Sequence, residues 1–204
     1  MSGPALARGE QRDRLGLKGP RAAEWLASQG VALPTEPNTW THSAHTSAPD
    51  ALRDASDALL VARLGTSEFF LEDTVAGSAL KRIAPALDGR PPGVYPVLRE
   101  DWAFRLDGEG VHDVLAQVCN VNFSALPPDS NPVIMTLMIG VAVLVVPQSA
   151  RVGRGIPTEG RGGPGPVAER QYKIWCDPTF GPYLGESLGA VVIECGGSYR
   201  GESA

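Results

Sequence analysis

Apolar positions recur along this chain with two periods, and the switches between them mark out its elements. Residues 13–17 read as a short strand that enters a helix through Gly19 and Pro20, with Pro20 at the first helical position. Ala22, Trp25 and Leu26 form the buried face of that helix, and Gly30 ends it as a left-handed cap. Residues 38–41 predict another strand. Residues 43–57, rich in Ser, Ala, Asp and Pro, predict a loop. The apolar runs 59–64 and 67–72 meet at Gly65-Thr66, which predicts a hairpin closed by a two-residue turn. From about Thr74, the positions Ala76, Ala79, Leu80, Ile83, Ala84 and Leu87 return to helical spacing. The segment 88–93, with consecutive prolines, is the strongest internal boundary.

The second half repeats this order. Residues 97–106 predict a strand, and Val111, Val114, Leu115, Val118 and Cys119 form an amphipathic helical stripe. Residues 133–146 are rich in β-branched side chains and broken by Gly140, which predicts two strands or one bent at a bulge. A strand at 170–176, a helix at 179–188 and a final strand at 190–194 complete the pattern. The repetition extends to the residues. Leu17, Gly19, Glu24, Leu26 and Ala27 are matched in order by Leu106, Gly108, Asp113, Leu115 and Ala116, and each copy is followed by Ala-Leu-Pro, at 32–34 and 125–127. Two copies are too few for a solenoid. The expected architecture is α+β, two related halves each of order β-α-β-β-α, the second with an extra strand. The expected organisation is a flexible lead at 1–12, a first half at 13–92, a second half at 93–195 with a mobile loop at 148–169, and a tail at 196–204.

Composition narrows the function classes. At 204 residues with 43% hydrophobic and 20% charged residues, the chain can bury a sizeable core. A net charge of −5 lacks the electrostatic footprint of a nucleic-acid or anionic-membrane binder. Residues 1–14 contain no apolar segment of a signal peptide, and the run 133–147 is too short to span a bilayer as a helix. Three scattered cysteines form no disulfide framework. A cytoplasmic protein is expected.

Five candidates invite chemistry. Gly185-Glu186-Ser187-Leu188-Gly189 matches the serine-hydrolase signature, but the nucleophile elbow needs a strand before the serine and a helix after it, and here that order is reversed. No histidine follows His112 to serve as base. His42 and His45 form H-x-x-H without helical periodicity or nearby Cys or Glu partners, so a solvated loop is favoured over zinc. His112, beside Asp113, reads as an exposed helix residue. Cys176 precedes a helix, where a thiol can be activated, although a packed small hydrophobe is the commoner fate. Arg151, Arg154 and Arg161 lack the aromatic interleaving of a single-strand RNA binder. Neither the dinucleotide fingerprint nor the Walker pattern occurs. No catalytic or metal-ligating residue is assigned.

Five blocks carry a family resemblance. Residues 14–26 (RLGLKGPRAAEWL), Pro37-Asn38-Thr39-Trp40, residues 61–73 (VARLGTSEFFLED), residues 135–141 (MTLMIGV) and residues 172–178 (YKIWCDP) with Tyr183-Leu184 resemble the γ subunit of heterotetrameric sarcosine oxidases. The small subunits of N-methylglutamate dehydrogenases are related. The resemblance implies two ferredoxin-like halves, similar to the folate-binding domain of aminomethyltransferases. It also implies a non-catalytic structural subunit, held in a heterotetramer by larger flavoprotein subunits that carry FAD, FMN, NAD and tetrahydrofolate. This chain itself is expected to bind no cofactor. At 57–61 the sequence departs from the aminomethyltransferase Asp-Asp-Leu, since Ala58 replaces the second acid and cannot transfer a proton. The Lys-Gly-Cys-Tyr-type signature of related iron–sulfur repair proteins is also missing. The alternatives are a free-standing tetrahydrofolate-binding or one-carbon transfer protein, and a hydrolase using Ser187 or Cys176. Trp40, Trp102 and Trp175 are candidate partner anchors.

Overall fold

The computed structural model describes residues 3–43, 58–74, 77–127, 130–149 and 170–201. The chain opens with β1 (Ala5–Arg8), β2 (Arg14–Lys18), helix α1 (Ala22–Ser28) and β3 (Thr39–Ser43). Next come β4 (Leu59–Arg63), β5 (Glu68–Glu72), the short helix α2 (Ala79–Ile83) and β6 (Tyr95–Val97). Then follow β7 (Trp102–Asp107), α3 (Val111–Val118), β8 (Ile134–Met138), β9 (Val141–Ser149), β10 (Arg170–Cys176), α4 (Gly181–Glu194) and β11 (Ser198–Arg200). These elements form two units, one from residues 10–101 with 130–134, the other from 1–9, 102–129 and 135–204.

In the unit centred on 10–101, an antiparallel sheet runs β3-β4-β5-β2-β6. Alternate strand residues point to one face, so Leu17, Leu59, Val61, Phe69 and Leu71 pack with Ala22 and Leu26 of α1 and Leu80 and Ile83 of α2. Leu60, Ala62 and Phe70, on the other face, are buried as well, which is why these strands read as unbroken apolar runs. The 59–72 hairpin forms, but its turn is longer than expected. The Leu64 N–H donates to the Glu68 carbonyl at 2.8 Å, leaving three residues, Gly65, Thr66 and Ser67, at the tip. The Arg63 guanidinium stabilises this tip, donating to the Thr66 carbonyl at 3.0 Å and to Thr35 at 2.6 Å. The helix expected from Thr74 is shorter. It begins at Ala79, and Pro85, with no N–H to donate, turns its end into a 3-10 turn, Ala84–Leu87. Ala76 lies outside the described residues. Buried Asp73 fixes the entry to α2, accepting from the Leu80 and Thr74 N–H groups at 2.9 Å each.

In the other unit the sheet runs β11-β1-β7-β10-β9-β8. Residues 1–12 were expected as a flexible lead, yet β1 sits inside the sheet, antiparallel to β7 and parallel to β11, with Leu6 fully buried. The expected tail at 196–204 likewise supplies β11. Both segments are too short to show periodicity, and neighbouring strands give them their structure. The single strand expected at 97–106 is two strands, β6 and β7, in different sheets. The strand expected at 190–194 is instead the end of α4. Its β-branched residues favour a strand, but Leu184, Leu188 and Val192 continue one buried helical stripe, and packing overrides propensity. The break at Gly140 is a two-residue turn between β8 and β9, with Ile139 and Gly140 at φ of 50° and 81°. The 43–57 and 148–169 loops fall almost wholly outside the described residues, although 148 and 149 extend β9.

The duplication is explicit in the topology. Each unit follows β-α-β-β-β-α-β, as β2-α1-β3-β4-β5-α2-β6 and β7-α3-β8-β9-β10-α4-β11, one strand more between the helices than the sequence reading. The sheet orders β3-β4-β5-β2 and β8-β9-β10-β7 correspond. The place beside β2 is filled by β6, whereas the place beside β7 is filled by β1. The repeated glycines have the same role. Gly19 and Gly108 take φ of 125° and 95°, and a Cβ on either would lie 2.3 Å from the Gly93 carbonyl oxygen or 2.6 Å from that of Gly3. Among the described residues no helix is long and apolar enough to cross a membrane.

Candidate functional site

The polar cluster with the most chemical potential joins α3 to β10. His112 is at the second position of α3, and alternation along β10 puts Arg170, Tyr172, Ile174 and Cys176 on one face. His112 Nε2 lies 2.7 Å from the Tyr172 hydroxyl. The Tyr172 ring is fully buried and meets Phe123 edge-on at 5.4 Å. Arg170 donates to the carbonyls of Phe123 at 3.3 Å and Leu126 at 2.9 Å. Either group can be the donor in the His112–Tyr172 bond, depending on the His112 tautomer. Burial, and then the Arg170 charge, hold the His112 pKa below its ordinary value, against a smaller opposing pull from Asp113. Burial raises the Tyr172 hydroxyl, with Arg170 acting in the opposite direction.

His112 is therefore not the exposed residue the sequence suggested. Its hydrogen-bonding partner lies about sixty positions away, beyond the reach of local pattern reading. The cluster cannot act on a substrate through Tyr172, whose side chain is sealed inside the unit. Its physical effect is to pin the 3-10 turn Phe123–Ala125 to the sheet. A pH dependence follows. With a folded pKa below the unfolded one, the stability contributed by neutral His112 is complete above about pH 6.5 and is lost as pH falls through that value towards the folded pKa. Thermal melts at about pH 7.5 and about pH 5 should show a larger loss for the native chain than for His112→Gln, which keeps a polar group but cannot titrate.

The hydrolase-like motif has a structural explanation. Gly185 and Gly189, with Gly181 one turn earlier, form a stripe along α4 that lies directly on aromatic rings. A Cβ at Gly181 would fall 2.4 Å from the Trp102 ring, one at Gly185 3.0 Å from Phe104, and one at Gly189 2.4 Å from Tyr199. Ser187 is half-buried within the helix and has no strand before it. The glycine spacing serves close helix–sheet packing and does not build a nucleophile elbow.

The remaining candidates are dispersed. Cys176 is buried at the end of β10, and none of the three cysteines is in a disulfide. Cys176 precedes the 3-10 turn Pro178–Phe180, which the Asp177 carboxylate caps by accepting from the Thr179 N–H at 2.8 Å, and α4 itself begins only at Gly181. His42 is on β3, edge-on to Trp40 at 5.1 Å, while His45 lies outside the described residues. No group of three or more His, Cys, Asp or Glu side chains among the described residues is placed to hold a metal. Ala58 is half-buried just before β4, whereas Asp57, Arg151, Arg154 and Arg161 lie outside the described residues. Trp40 and Trp175 are buried, and half-buried Trp102 is covered by the Arg8 guanidinium 3.8 Å from its ring, so none is an exposed anchor. A shallow groove of about 210 Å³ lies between α1 and the segment before β6, lined by Arg21, Glu24, Trp25, Ser28, Pro91, Pro92 and Val94.

No protein-family model matches this sequence, and no curated protein matches it. Solved structures do. A chain of heterotetrameric sarcosine oxidase from Corynebacterium sp. U-96, in complex with pyrrole 2-carboxylate, is similar over 98% of this chain and 88% of that one, with a TM-score of 0.63 and 20% identity. The glycine cleavage system aminomethyltransferase T from Bartonella henselae is similar over 92% of this chain, with a TM-score of 0.55 and 17% identity. This chain has their fold. The resemblance carried by the five sequence blocks, and the α+β aminomethyltransferase-like architecture it implied, are thus borne out by the tertiary structure. The match covers 45% of the aminomethyltransferase, so this chain corresponds to less than half of that protein. Identities this low establish the fold and leave activity to be argued from the site.

Proposed function

We propose that this chain is a non-catalytic structural subunit of a multisubunit flavin-dependent oxidase or dehydrogenase acting on sarcosine or a related N-methyl amino acid. The observation that carries this reading is the likeness, over nearly the full length of both chains, to a chain of heterotetrameric sarcosine oxidase. The site chemistry supports it. The G-x-S-x-G motif packs a helix, Tyr172 is sealed from substrate, and position 58 carries Ala where aminomethyltransferases carry an acid. In this reading larger flavoprotein subunits hold FAD, FMN, NAD and tetrahydrofolate in the cytoplasm, and this chain braces them. The protein isolated from its own cells should run well above its 21.5 kDa mass, together with larger subunits and a flavin absorbance spectrum. A colourless lone chain would sink the proposal.

The likeness to an aminomethyltransferase favours a second reading, a free-standing tetrahydrofolate-binding or one-carbon transfer protein. Saturable binding of tetrahydrofolate to the isolated chain would favour the second reading over the first.

A further inference from the structure

The place of β1 in its sheet is foreign to the duplication. Everything else in the ordered run β7-α3-β8-β9-β10-α4-β11 repeats β2-α1-β3-β4-β5-α2-β6. In the first run β6 pairs directly with β2, antiparallel. In the second, β1 stands between the corresponding strands, antiparallel to β7 and parallel to β11. Strand β11 therefore runs opposite to β7, as β6 runs opposite to β2. Glycines mark the same relation. A Cβ on Gly19 would meet the Gly93 carbonyl oxygen. One on Gly108 would instead lie 2.6 Å from that of Gly3, and one on Gly3 2.6 Å from that of Gly196. Gly93 and Gly196 stand just before the last strand of each run, with φ of 75° and 77°. The segment leading into β1 thus separates two partners whose equivalents lie against each other. The register agrees as well. Asp107, Ala5 and Ser198 form one row across the sheet, Leu106, Leu6 and Tyr199 the next, and Arg105, Ala7 and Arg200 the third. Without β1 these rows would pair Asp107 with Ser198, Leu106 with Tyr199 and Arg105 with Arg200. When Leu17 is matched to Leu106 and Gly93 to Gly196, those pairs are the equivalents of Lys18–Tyr95, Leu17–Pro96 and Gly16–Val97, the observed pairs of β2 with β6.

We propose that β1 is a detachable strap: it docks between β7 and β11 in a unit that is complete without it, and when it leaves, β11 closes onto β7 in the register of β6 on β2. The slot holds an extended segment by backbone pairing on both sides and by one fully buried strand side chain, Leu6. Closure needs no slip along the strands, so every side chain of β11 keeps its face of the sheet. The backbone groups of β7 that β1 occupied pass to β11, and the edge of β7 stays paired. Release frees residues 3–8 while the rest of the unit keeps its fold. The strap is independent of either reading of function, since it follows from the internal duplication alone.

The test is a disulfide trap in the full chain. Arg105 and Arg200 are exposed and share a row, two strand spacings apart while β1 is in place. That is about 9.5 Å, beyond the roughly 7 Å between Cα atoms that a disulfide can bridge. After closure they would be direct neighbours at about 4.5–5.5 Å. Arg105→Cys with Arg200→Cys, mildly oxidised and mapped by mass spectrometry, should accumulate a disulfide between positions 105 and 200. Adding Leu6→Asp, which puts an unpaired carboxylate in the slot, should speed its formation at least about tenfold. If the folded chain forms no such bond with either residue at position 6, the proposal is overturned. A bond that appears only together with disulfides to buried Cys176 reports global unfolding and overturns it too. Should Leu6→Asp prevent folding, the two cysteine substitutions with native Leu6 decide by the same criteria.

Discussion

Replacing Glu72 with alanine is expected to lower the stability of this chain by about 3–5 kcal/mol, which for a chain of this size is a drop in Tm of roughly 6 °C or more. Glu72 Oε2 accepts from Arg14 Nε at 2.8 Å, and the two side chains are only 2% and 6% exposed. Arg14 also donates through Nη1 to the Asp101 carbonyl at 2.6 Å, which ties β2 to the chain just before β7. Removing the carboxylate leaves a guanidinium buried beside a single carbonyl, and a buried charge without its counterion carries most of the cost. The pair need not be net stabilising. Arg14→Met with Glu72→Leu removes both charges and should recover most of the lost stability, because the desolvation penalty disappears with them. Urea melts of the native chain, the single variant and the double variant decide the matter. A single variant within about 1 kcal/mol of native would mean that water reaches Arg14 and that the pair behaves as a surface bridge.

Gly189→Ala is the second large effect, expected to cost about 1–3 kcal/mol even though alanine is the better helix former by about 1 kcal/mol. The added Cβ would fall 2.4 Å from Tyr199 Cδ1, so either α4 or β11 has to move. The cost should depend on Tyr199. With Tyr199→Ala in the background, Gly189→Ala should become neutral or stabilising, a coupling of the kind expected between residues in direct contact. Ser187→Ala on the same helix should stay within about 0.5 kcal/mol and leave the function of any assembly unchanged, as befits a serine with no catalytic surroundings. A Gly189→Ala variant as stable as the native chain would break the packing account of the motif.

Both effects share a physical origin with the motif readings. A G-x-S-x-G string is ambiguous until the elements around it are placed, in that its glycines can serve a turn, a cap or a close approach. Here the closeness of Trp102, Phe104 and Tyr199 to α4 decides for close approach. The same holds for His112. As a helix residue next to Asp113 it looked solvated, and only the pairing of β10 with β7 and β9 brings Tyr172 and Arg170 beneath it.

By itself the sequence determined whatever depends on neighbours a few positions apart. Helix α3 follows from its apolar stripe, the two hairpins from their turn residues, and the duplication from Gly19 and Gly108, whose left-handed φ no other residue takes as cheaply. The tertiary structure alone decided the rest, because the deciding contacts join residues far apart in the chain. It placed β1 between β7 and β11 through Leu6, which no periodic signal announces. It held 190–194 in α4, where continued burial outweighed the strand preference of Val191, Val192 and Ile193. It also buried the Arg14–Glu72 pair and the Tyr172 hydroxyl, since charge and hydroxyl chemistry are legible in a sequence while their exposure to water is set only by what folds over them.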